Sequence, residues 1–247
     1  MRFIGIIPAR YASTRFPGKP LAMLGEMTMI ERVYRRVSVE LDDVWVATDD
    51  TRIADAVKGF GGNVVMTSET HRSGTDRCRE AYEKVGNGFD VVINVQGDEP
   101  FIDPLQIRQI KACFDSADTD IATLVRPFDA GAGYQALENP NTPKVVFDDD
   151  MNALLFSRSV IPFIRGCERE QWPAQHRFYT HIGMYAYRAG VLQEITRLPQ
   201  SSLELAESLE QLRWLQNGYR IKVGVSECPT IGIDTPEDLE AAIKLIS

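Results

Sequence analysis

The first residues that could do chemistry form a basic loop near the N-terminus. A short apolar run, Ile4–Ile7, ends at Pro8, and Arg10, Arg15 and Lys19 follow within the next eleven positions. Arginine grips phosphate oxygens through paired hydrogen bonds, and lysine acts on them as a point charge. Neither the Walker pattern nor Gly-x-Gly-x-x-Gly is present. The loop therefore favours a polyphosphate site over a solvated basic segment, without identifying the nucleotide.

Two acidic residues are candidates for binding a hard cation. Asp98 follows the apolar run Val91–Val95 after a glycine, and Asp234 lies just before a helix start. Magnesium is usually held by one or two carboxylates together with substrate phosphates, and Asp98 suits that role. Asp234 is either a second metal ligand or a carboxylate favoured by the positive end of the helix. The spacing alone does not choose between these two roles.

The segment Ser73-Gly74-Thr75 is a third candidate ligand-binding segment. Hydroxyl residues at this position predict a helix N-cap. The same hydroxyls and the free backbone N–H groups of a helix N-terminus also suit an anion or a base edge. Both interpretations stay open at this point.

Composition limits the class of protein. The chain has 247 residues, 44% of them hydrophobic, and a net charge of −8, which argues against non-specific nucleic-acid binding. No run of residues is apolar over the length needed to span a bilayer, and no signal peptide is recognisable, so we expect a cytoplasmic protein. The four cysteines are widely spaced and read as free thiols, and the three histidines lack metal-binding spacing.

The pattern of elements predicts an α/β fold with a mostly parallel sheet flanked by helices. Predicted strands are Phe3–Ile7, Val44–Ala47, Asn63–Met66, Val91–Val95 and Ile121–Val125, and predicted helices are Met29–Val39, Thr51–Phe60, Gly74–Val85 and Pro104–Phe114. Ligands of such sheets bind beyond the carboxyl ends of the strands. The basic loop and Asp98 both lie at such ends.

The second half of the chain is less regular. We predict a hairpin of Lys144–Phe147 with Ala153–Phe156, an irregular arm or lid over Ile161–Phe178, and strands at Gly183–Tyr187 and Ile221–Val225. Leucines at helical spacing predict one helix over Leu203–Asn217. Thr235, with Asp238 reaching back, is expected to cap the last helix.

Eight segments taken together resemble the CMP-Kdo synthetases, the 3-deoxy-manno-octulosonate cytidylyltransferases. They are the basic loop, His71–Arg77, Asn94–Pro100, Asn139–Asn141, Phe156–Arg158, His181–Tyr185, Leu203–Arg213 and Gly232–Leu239, in that order along nearly the whole chain. The resemblance implies transfer of CMP from CTP to the anomeric hydroxyl of Kdo, with release of pyrophosphate, for lipopolysaccharide synthesis. It also implies a nucleotidyltransferase (GT-A/Rossmann-like) fold. We expect one domain over residues 1–247, with a nucleotide-binding part near 1–125 and a sugar-binding and dimerisation part near 126–230.

The resemblance also assigns roles to individual residues. The catalytic group would be Arg10, Lys19, Asp98 and Asp234, with Asp98 and Asp234 holding Mg²⁺. The CTP-binding group would be Arg10, Arg15, Lys19, Ser73, Gly74, Thr75 and Arg77. The group that binds Kdo would be Gln96, Arg158, His181, Tyr185, Glu210 and Gln211.

The family further implies a homodimer, which the sequence supports weakly through Trp172 and Phe178 of the irregular arm.

Three alternatives to the Kdo reaction stay open. The same chemistry could act on 8-amino-Kdo or a sialic acid. A metal-dependent glycosyltransferase would also use an α/β sheet, but its Asp-x-Asp is replaced here by Asp98-Glu99-Pro100. A nucleotide-binding regulator without catalysis is the third alternative, although intact Arg10 and Lys19 argue against it.

Overall fold

The structure is a computed structural model, and it describes residues 1–12, 16–86, 88–229 and 232–246. The chain divides into two compact units. The first contains residues 1–108, 184–196 and 229–247, and the second contains residues 109–183 and 197–228. The expected single domain, with a nucleotide part and a sugar part, stays a prediction.

The first unit is built on a mostly parallel sheet. Its strands are β1 (Phe3–Ala9), β4 (Val44–Thr48), β5 (Asn63–Met66), β6 (Val91–Asn94) and the end of β10 (Tyr179–Arg188). They lie in the order β10-β6-β1-β4-β5, and only β10 runs antiparallel to its neighbour β6. The side chains of Ile4, Ile6 and Ile7 are fully buried. Strands covered on both faces read as continuous apolar runs, which explains the sequence of β1.

Helices follow these strands, and the sequence caps them. They are α1 (Met29–Val37), α2 (Thr51–Gly59), α3 (Gly74–Val85), α7 (Ala189–Ile195) and α10 (Pro236–Ile246), with a small hairpin of β2 (Met23–Leu24) and β3 (Met27–Thr28) before α1. The side chains of Thr28, Asp50 and Ser73 accept the N-cap hydrogen bonds of α1, α2 and α3. The carboxyl end of β6 and the start of α3 both belong to this first unit. Helix α4 (Pro104–Ala112) begins in this unit and ends in the second.

The second unit is mixed. Its strands are β7 (Ile121–Pro127), β8 (Lys144–Phe147), β9 (Ala153–Ser157), the start of β10 and β11 (Ile221–Val225), and its helices are α5 (Gly133–Leu137), α6 (Trp172–Gln175), α8 (Ser202–Glu207) and α9 (Gln211–Gln216). Strand β11 is parallel to β7, and the hairpin β8–β9 joins the start of β10. Leu137, Trp172 and Phe178 form a buried apolar cluster in this unit.

The predicted α/β class with a mostly parallel sheet is confirmed. All nine predicted strands are observed: eight begin at the predicted residue, and the ninth, β10, begins at Tyr179 rather than Gly183. The capping of the last helix by Thr235 and Asp238 is also confirmed. The four cysteines, all of them among the described residues, form no disulfide. In the described part of the chain, no helix has both the length and the apolar character needed to cross a membrane.

The predicted single helix over Leu203–Asn217 is wrong. The segment forms two helices, α8 and α9, separated at Ser208, which has a positive φ of 50°. The guanidinium of Arg158 donates hydrogen bonds to the carbonyl oxygens of Glu207 and Ser208, so tertiary contacts replace the helical ones there. The leucine spacing did not reveal this break, and Leu205 is 62% exposed while Leu212 is buried.

Candidate active site

A polar cleft of about 410 Å³ lies in the first unit, at the carboxyl ends of β1 and β6 and beside the start of α3. Its walls include Arg10, Lys19, Ser73, Gly74, Gln96 and Asp98, together with Arg77. Four separate segments of the sequence therefore contribute to one cleft. Arg10 is exposed, whereas Arg15 lies outside the described residues.

The ammonium group of Lys19 joins the two candidate metal ligands. Its Nζ lies 2.7 Å from Asp98 Oδ2 and 3.2 Å from Asp234 Oδ1. The Lys19 side chain is only 14% exposed, less than either carboxylate. Two carboxylates that share one cation in this way both point towards a single position.

Backbone hydrogen bonds hold these carboxylates together. The Ile233 N–H donates to the carbonyl oxygen of Asp98 at 3.0 Å, which ties the loop before α10 to the loop after β6. The Asp238 carboxylate accepts from the N–H groups of Asp234 and Thr235 at 3.0 and 2.9 Å. The backbone on either side of the Asp234 side chain is thus tied to Asp98 through Ile233 and to the start of α10 through Asp238.

Two glycines allow this close approach of loops. A Cβ on Gly97 would lie 3.0 Å from the Pro8 carbonyl oxygen, so any side chain there would push the β6 loop away from β1. Gly18 has a φ of 72°, a conformation that L-residues with side chains rarely adopt. Lys19 directly follows Gly18, so this turn helps to direct the lysine.

Glu99 lies next to Asp98 and differs from it electrostatically. Burial, with a further contribution from the charge of Asp98, raises the pKa of Glu99 to about 7. A substantial fraction of this carboxyl group is therefore neutral at physiological pH. Glu99 therefore adds less negative charge to the loop after β6 than a carboxyl group of ordinary pKa would.

The four residues predicted to meet the nucleoside lie at the start of α3, but in different surroundings. Ser73 Oγ caps the helix, and Gly74 lies against Pro8. Thr75 is buried, with its hydroxyl 3.4 Å from that of Tyr187. Arg77 is 1% exposed and donates to Asp49 Oδ2 at 2.7 Å and to Thr67 Oγ1 at 2.5 Å.

The residues predicted to bind the sugar divide between the units. Gln96 and Tyr185 belong to the first, where Gln96 Nε2 lies 3.4 Å from Asn94 Oδ1 and Tyr185 pairs with Asn94 in the sheet. Arg158, His181, Glu210 and Gln211 belong to the second. The sugar-site assignment as a whole stays a prediction.

Within the second unit, the guanidinium of Arg158 donates hydrogen bonds to backbone carbonyl oxygens. Its Nη1 donates to the Pro140 carbonyl at 2.8 Å, in addition to the two carbonyls at the α8–α9 break. Glu207, which sequence reasoning gave no role, accepts from the Ser157 hydroxyl and the Arg158 N–H at 2.7 and 2.8 Å. Its position in the Leu203–Arg213 motif was the available signal.

Arg213, also missed from sequence, holds Glu210. Its Nη2 donates to Glu210 Oε1 at 2.7 Å, and its Nε lies 3.6 Å from Glu204 Oε2. Glu204 completes a capping box with Ser201 at the start of α8. Arg213 therefore links the two helices across the break at Ser208. The neighbouring Gln211 is 4% exposed, and its Nε2 has no hydrogen-bond partner among the described residues.

His181 lies beside Thr123, whose hydroxyl is 3.0 Å from its Nε2, and packs edge-on against Phe156. Burial lowers the pKa of His181 to about 3. The imidazole is therefore neutral at physiological pH, and it offers one hydrogen-bond donor and one acceptor rather than a positive charge.

Comparison with known proteins gives a consistent family. Residues 4–221 match the cytidylyltransferase family. A relative named 3-deoxy-manno-octulosonate cytidylyltransferase, from Phocaeicola vulgatus, is 67% identical over 98% of this chain and 96% of its own length. A relative named 8-amino-3,8-dideoxy-manno-octulosonate cytidylyltransferase, from Shewanella piezotolerans, is 46% identical over 95% of this chain and 94% of its own length.

A solved structure agrees with the sequence comparison. The structure of CMP:2-keto-3-deoxy-manno-octonic acid synthetase complexed with CTP has a TM-score of 0.90 and 40% sequence identity to this chain. The match covers 100% of this chain and 98% of that one. At 40% identity over the whole chain, the two proteins are similar in sequence as well as in fold.

We predict that Arg213→Met destabilises the protein by about 3 kcal/mol, because it leaves the carboxylates of Glu204 and Glu210 without their cation. Urea unfolding measures the change. Arg177→Met is the matched control, since Arg177 is 63% exposed and lies 3.9 Å from Glu227. That change should cost less than about 1 kcal/mol. Equal losses in the two variants would contradict the role given to Arg213.

We predict that His181→Gln reduces the acid sensitivity of the fold. The folded pKa of His181, about 3, lies below its ordinary value of 6.5, so the unfolded chain binds one more proton between these values. Stability is therefore lost as the pH falls below about 6.5. Removing the group should flatten the slope by up to about 1.4 kcal/mol per pH unit between about pH 4 and pH 6.

Urea unfolding at a series of pH values tests this expectation. Above about pH 7 the imidazole is neutral in both states, so the slopes of variant and parent should coincide there. An unchanged slope below pH 6 would show that His181 is protonated equally in both states.

Proposed function

This chain belongs to the cytidylyltransferase family, and from that premise we propose that it transfers CMP from CTP to the anomeric hydroxyl of Kdo, giving CMP-Kdo and pyrophosphate. The observation that carries the proposal is the contact of Lys19 with Asp98 and Asp234 in a cleft that also holds Arg10. Such a site combines cations for a triphosphate with paired carboxylates. Family membership sets aside the glycosyltransferase and the non-enzymatic alternatives.

Kdo is favoured over 8-amino-Kdo as the sugar. The relative named for 3-deoxy-manno-octulosonate is 67% identical to this chain, whereas the relative named for the 8-amino sugar is 46% identical. The solved structure named for 2-keto-3-deoxy-manno-octonic acid covers the whole chain. Kdo is an acidic sugar with several hydroxyls, so its site needs a cation and neutral hydrogen-bonding groups.

The reaction asks the protein mainly for position and charge. The anomeric oxygen attacks the α-phosphorus and forms the new P–O bond, the bond from that phosphorus to the bridging oxygen of the β-phosphate breaks and releases pyrophosphate, and the proton of the sugar hydroxyl passes to water. Arg10 and Lys19 bind the triphosphate in this proposal, and Lys19 offsets the charge that develops on pyrophosphate. Ser73, Gly74, Thr75 and Arg77 shape the nucleoside end. Positioning the triphosphate and the nucleoside in this way reduces the entropy cost of bringing the reacting atoms together.

We propose Mg²⁺ as the cofactor, held by Asp98 and Asp234. The pair fits a cation, because the Lys19 ammonium already lies within 3.2 Å of both carboxylates. No group of three or more metal-binding side chains occurs among the described residues. A magnesium ion here would take its other ligands from phosphate and water, as is usual for this metal. When bound, it would supply positive charge that lowers the pKa of the sugar hydroxyl.

For the sugar, we propose Gln96, Arg158, His181, Tyr185, Glu210 and Gln211. Gln211 has the clearest structural support, because its buried Nε2 finds no hydrogen-bond partner in the part of the chain that the structure describes, and such a group is costly unless a ligand satisfies it. Neutral His181 and the Arg213-oriented Glu210 offer hydrogen bonds suited to hydroxyl groups. Arg158 keeps hydrogen-bonding capacity beyond the three carbonyls, because a guanidinium has five N–H donors.

We also propose a homodimer, although not through the two aromatic residues suggested by sequence. Trp172 and Phe178 are 3% and 1% exposed and pack inside the second unit, so they cannot face a partner. Phe163 and Leu154 of the same unit are 70% and 63% exposed. Such large apolar side chains are better candidates for a contact between subunits, and light scattering tests the assembly.

We further propose that the enzyme acts in the cytoplasm, where it activates Kdo for lipopolysaccharide synthesis. Its four cysteines form no disulfide, which is consistent with a reducing compartment.

We predict that Asp98→Asn leaves CTP binding partly intact but lowers turnover about a hundredfold, equivalent to ~2–3 kcal/mol of barrier. The variant keeps the shape of the side chain and removes half of the paired negative charge. Asp234→Asn should behave similarly. Steady-state pyrophosphate release measures the effect, with Asp55→Asn on the exposed surface of α2 as the control. Near-normal turnover in both site variants would rule out the metal assignment.

We predict that the purified protein with CTP and Mg²⁺ releases pyrophosphate with Kdo in preference to 8-amino-8-deoxy-Kdo or N-acetylneuraminate. The three acids share the reacting group and differ around the ring, so the comparison isolates sugar recognition. Release with one of the other sugars alone would keep the chemistry and overturn the sugar. A folded protein that binds CTP and uses none of them would overturn the proposed function.

A further inference from the structure

Tyr11, which is not among the predicted ligands, packs its aromatic ring against Gly18 at the end of the basic loop. We propose that Tyr11, fixed from helix α2 by Arg52, is a positioning residue that sets the placement of Gly18 and Lys19 and thereby the affinity for CTP. This inference rests on the proposed function, because it concerns how the CTP loop is prepared for its ligand.

Tyr11 contacts Gly18 through both backbone and ring. The Gly18 N–H donates to the Tyr11 carbonyl oxygen at 2.9 Å, which joins the two ends of the loop. A Cβ placed on Gly18 would lie 3.1 Å from Tyr11 Cζ and 3.2 Å from Cε2, so the ring lies against the glycine backbone. Glycine at this position thus serves both the turn and the packing of the ring.

Arg52 holds the Tyr11 ring in place. Its guanidinium carbon lies 3.3 Å from the ring centroid, a close cation–π contact. The guanidinium is oriented by Asp50, with Nε 3.0 Å from Oδ1 and Nη2 2.6 Å from Oδ2. Asp50 also caps α2 by accepting from the Arg52 N–H at 2.9 Å. The ring is therefore connected to a helix end rather than to another loop.

We call this arrangement of Tyr11, Gly18, Arg52 and Asp50 the Tyr11 clasp. It controls the backbone position of Lys19. Lys19 follows Gly18 directly and opens a short 3-10 turn in which the Leu21 N–H donates to the Gly18 carbonyl at 2.9 Å. Fixing Gly18 therefore fixes the Cα position of Lys19, the residue whose ammonium group contacts Asp98. A loop ordered before binding avoids the free-energy cost of ordering during binding, so the clasp should act on affinity.

The first test separates CTP affinity from sugar affinity in four variants. Tyr11→Ala should raise the KM and the calorimetric Kd for CTP about tenfold, while kcat and the KM for Kdo stay within about twofold. Tyr11→Phe keeps the ring and should restore affinity to within about twofold of the parent, since the contact uses the π face. Arg52→Met should weaken CTP binding about threefold.

Arg35→Met is the matched control for Arg52→Met. Arg35 is 54% exposed and paired with Glu31, and Arg52 is 57% exposed and paired with Asp50. Both changes remove one exposed guanidinium from a carboxylate of the first unit. Only the Arg52 change should alter CTP affinity, so equal effects would overturn the proposal.

The second test needs no turnover. Hydrogen exchange of the segment 16–21 in the ligand-free protein should be faster in Tyr11→Ala than in the parent or in Tyr11→Phe. Tyr11→Leu, which keeps bulk without a ring, takes its place if the alanine variant does not fold. Unchanged exchange and unchanged CTP affinity would overturn the clasp, as would a phenylalanine variant that behaves like alanine.

The exchange readout also separates this inference from the proposed function. Faster exchange in Tyr11→Ala, with a parent protein that uses no acidic sugar, would overturn the Kdo reaction and retain the clasp. Normal pyrophosphate release in the parent, with no difference in exchange or CTP affinity among the variants, would do the reverse.

Discussion

The contact of one ammonium group with two carboxylates is the constraint on which this site depends. Lys19 and Asp234 are 215 positions apart in the sequence, yet they lie 3.2 Å apart at Nζ and Oδ1. Like charges on Asp98 and Asp234 would repel each other without a cation between them. The lysine therefore stabilises an arrangement that the fold builds from the start, the middle and the end of the chain.

The parallel sheet provides the first part of that arrangement, and specific loops provide the rest. Strands β1 and β6 pair directly, so the basic loop and the Asp98 loop leave the sheet at the same edge. The described C-terminal residues, 232–246, contribute no strand to the sheet, and they reach the site through the hydrogen bond of Ile233 to Asp98. One side of the site thus follows from strand order, and the other depends on a loop contact and a helix cap.

This division explains what could be predicted from the sequence. Apolar runs and caps indicated the strands, the helices and the loops at the carboxyl ends of the sheet, because burial and capping leave local signals. The break between α8 and α9 left no such signal, since it depends on Arg158 binding the carbonyls of residues distant in sequence. The contact of Lys19 with Asp234 is equally non-local. The family motifs contained both residues but could not show that one side chain joins the carboxylates.

Arginine residues illustrate the same limit at closer range. Arg77 and Arg158 lie in motifs that suggest ligand contacts, yet Arg77 is buried against Asp49, and Arg158 donates to three backbone carbonyls. A guanidinium has five N–H donors in a fixed plane, so it can orient several protein groups and still reach a ligand. Removing such a side chain changes the protein and the ligand contact together. Binding measurements on these positions therefore need a stability measurement beside them, because affinity alone does not distinguish a lost contact from a displaced loop.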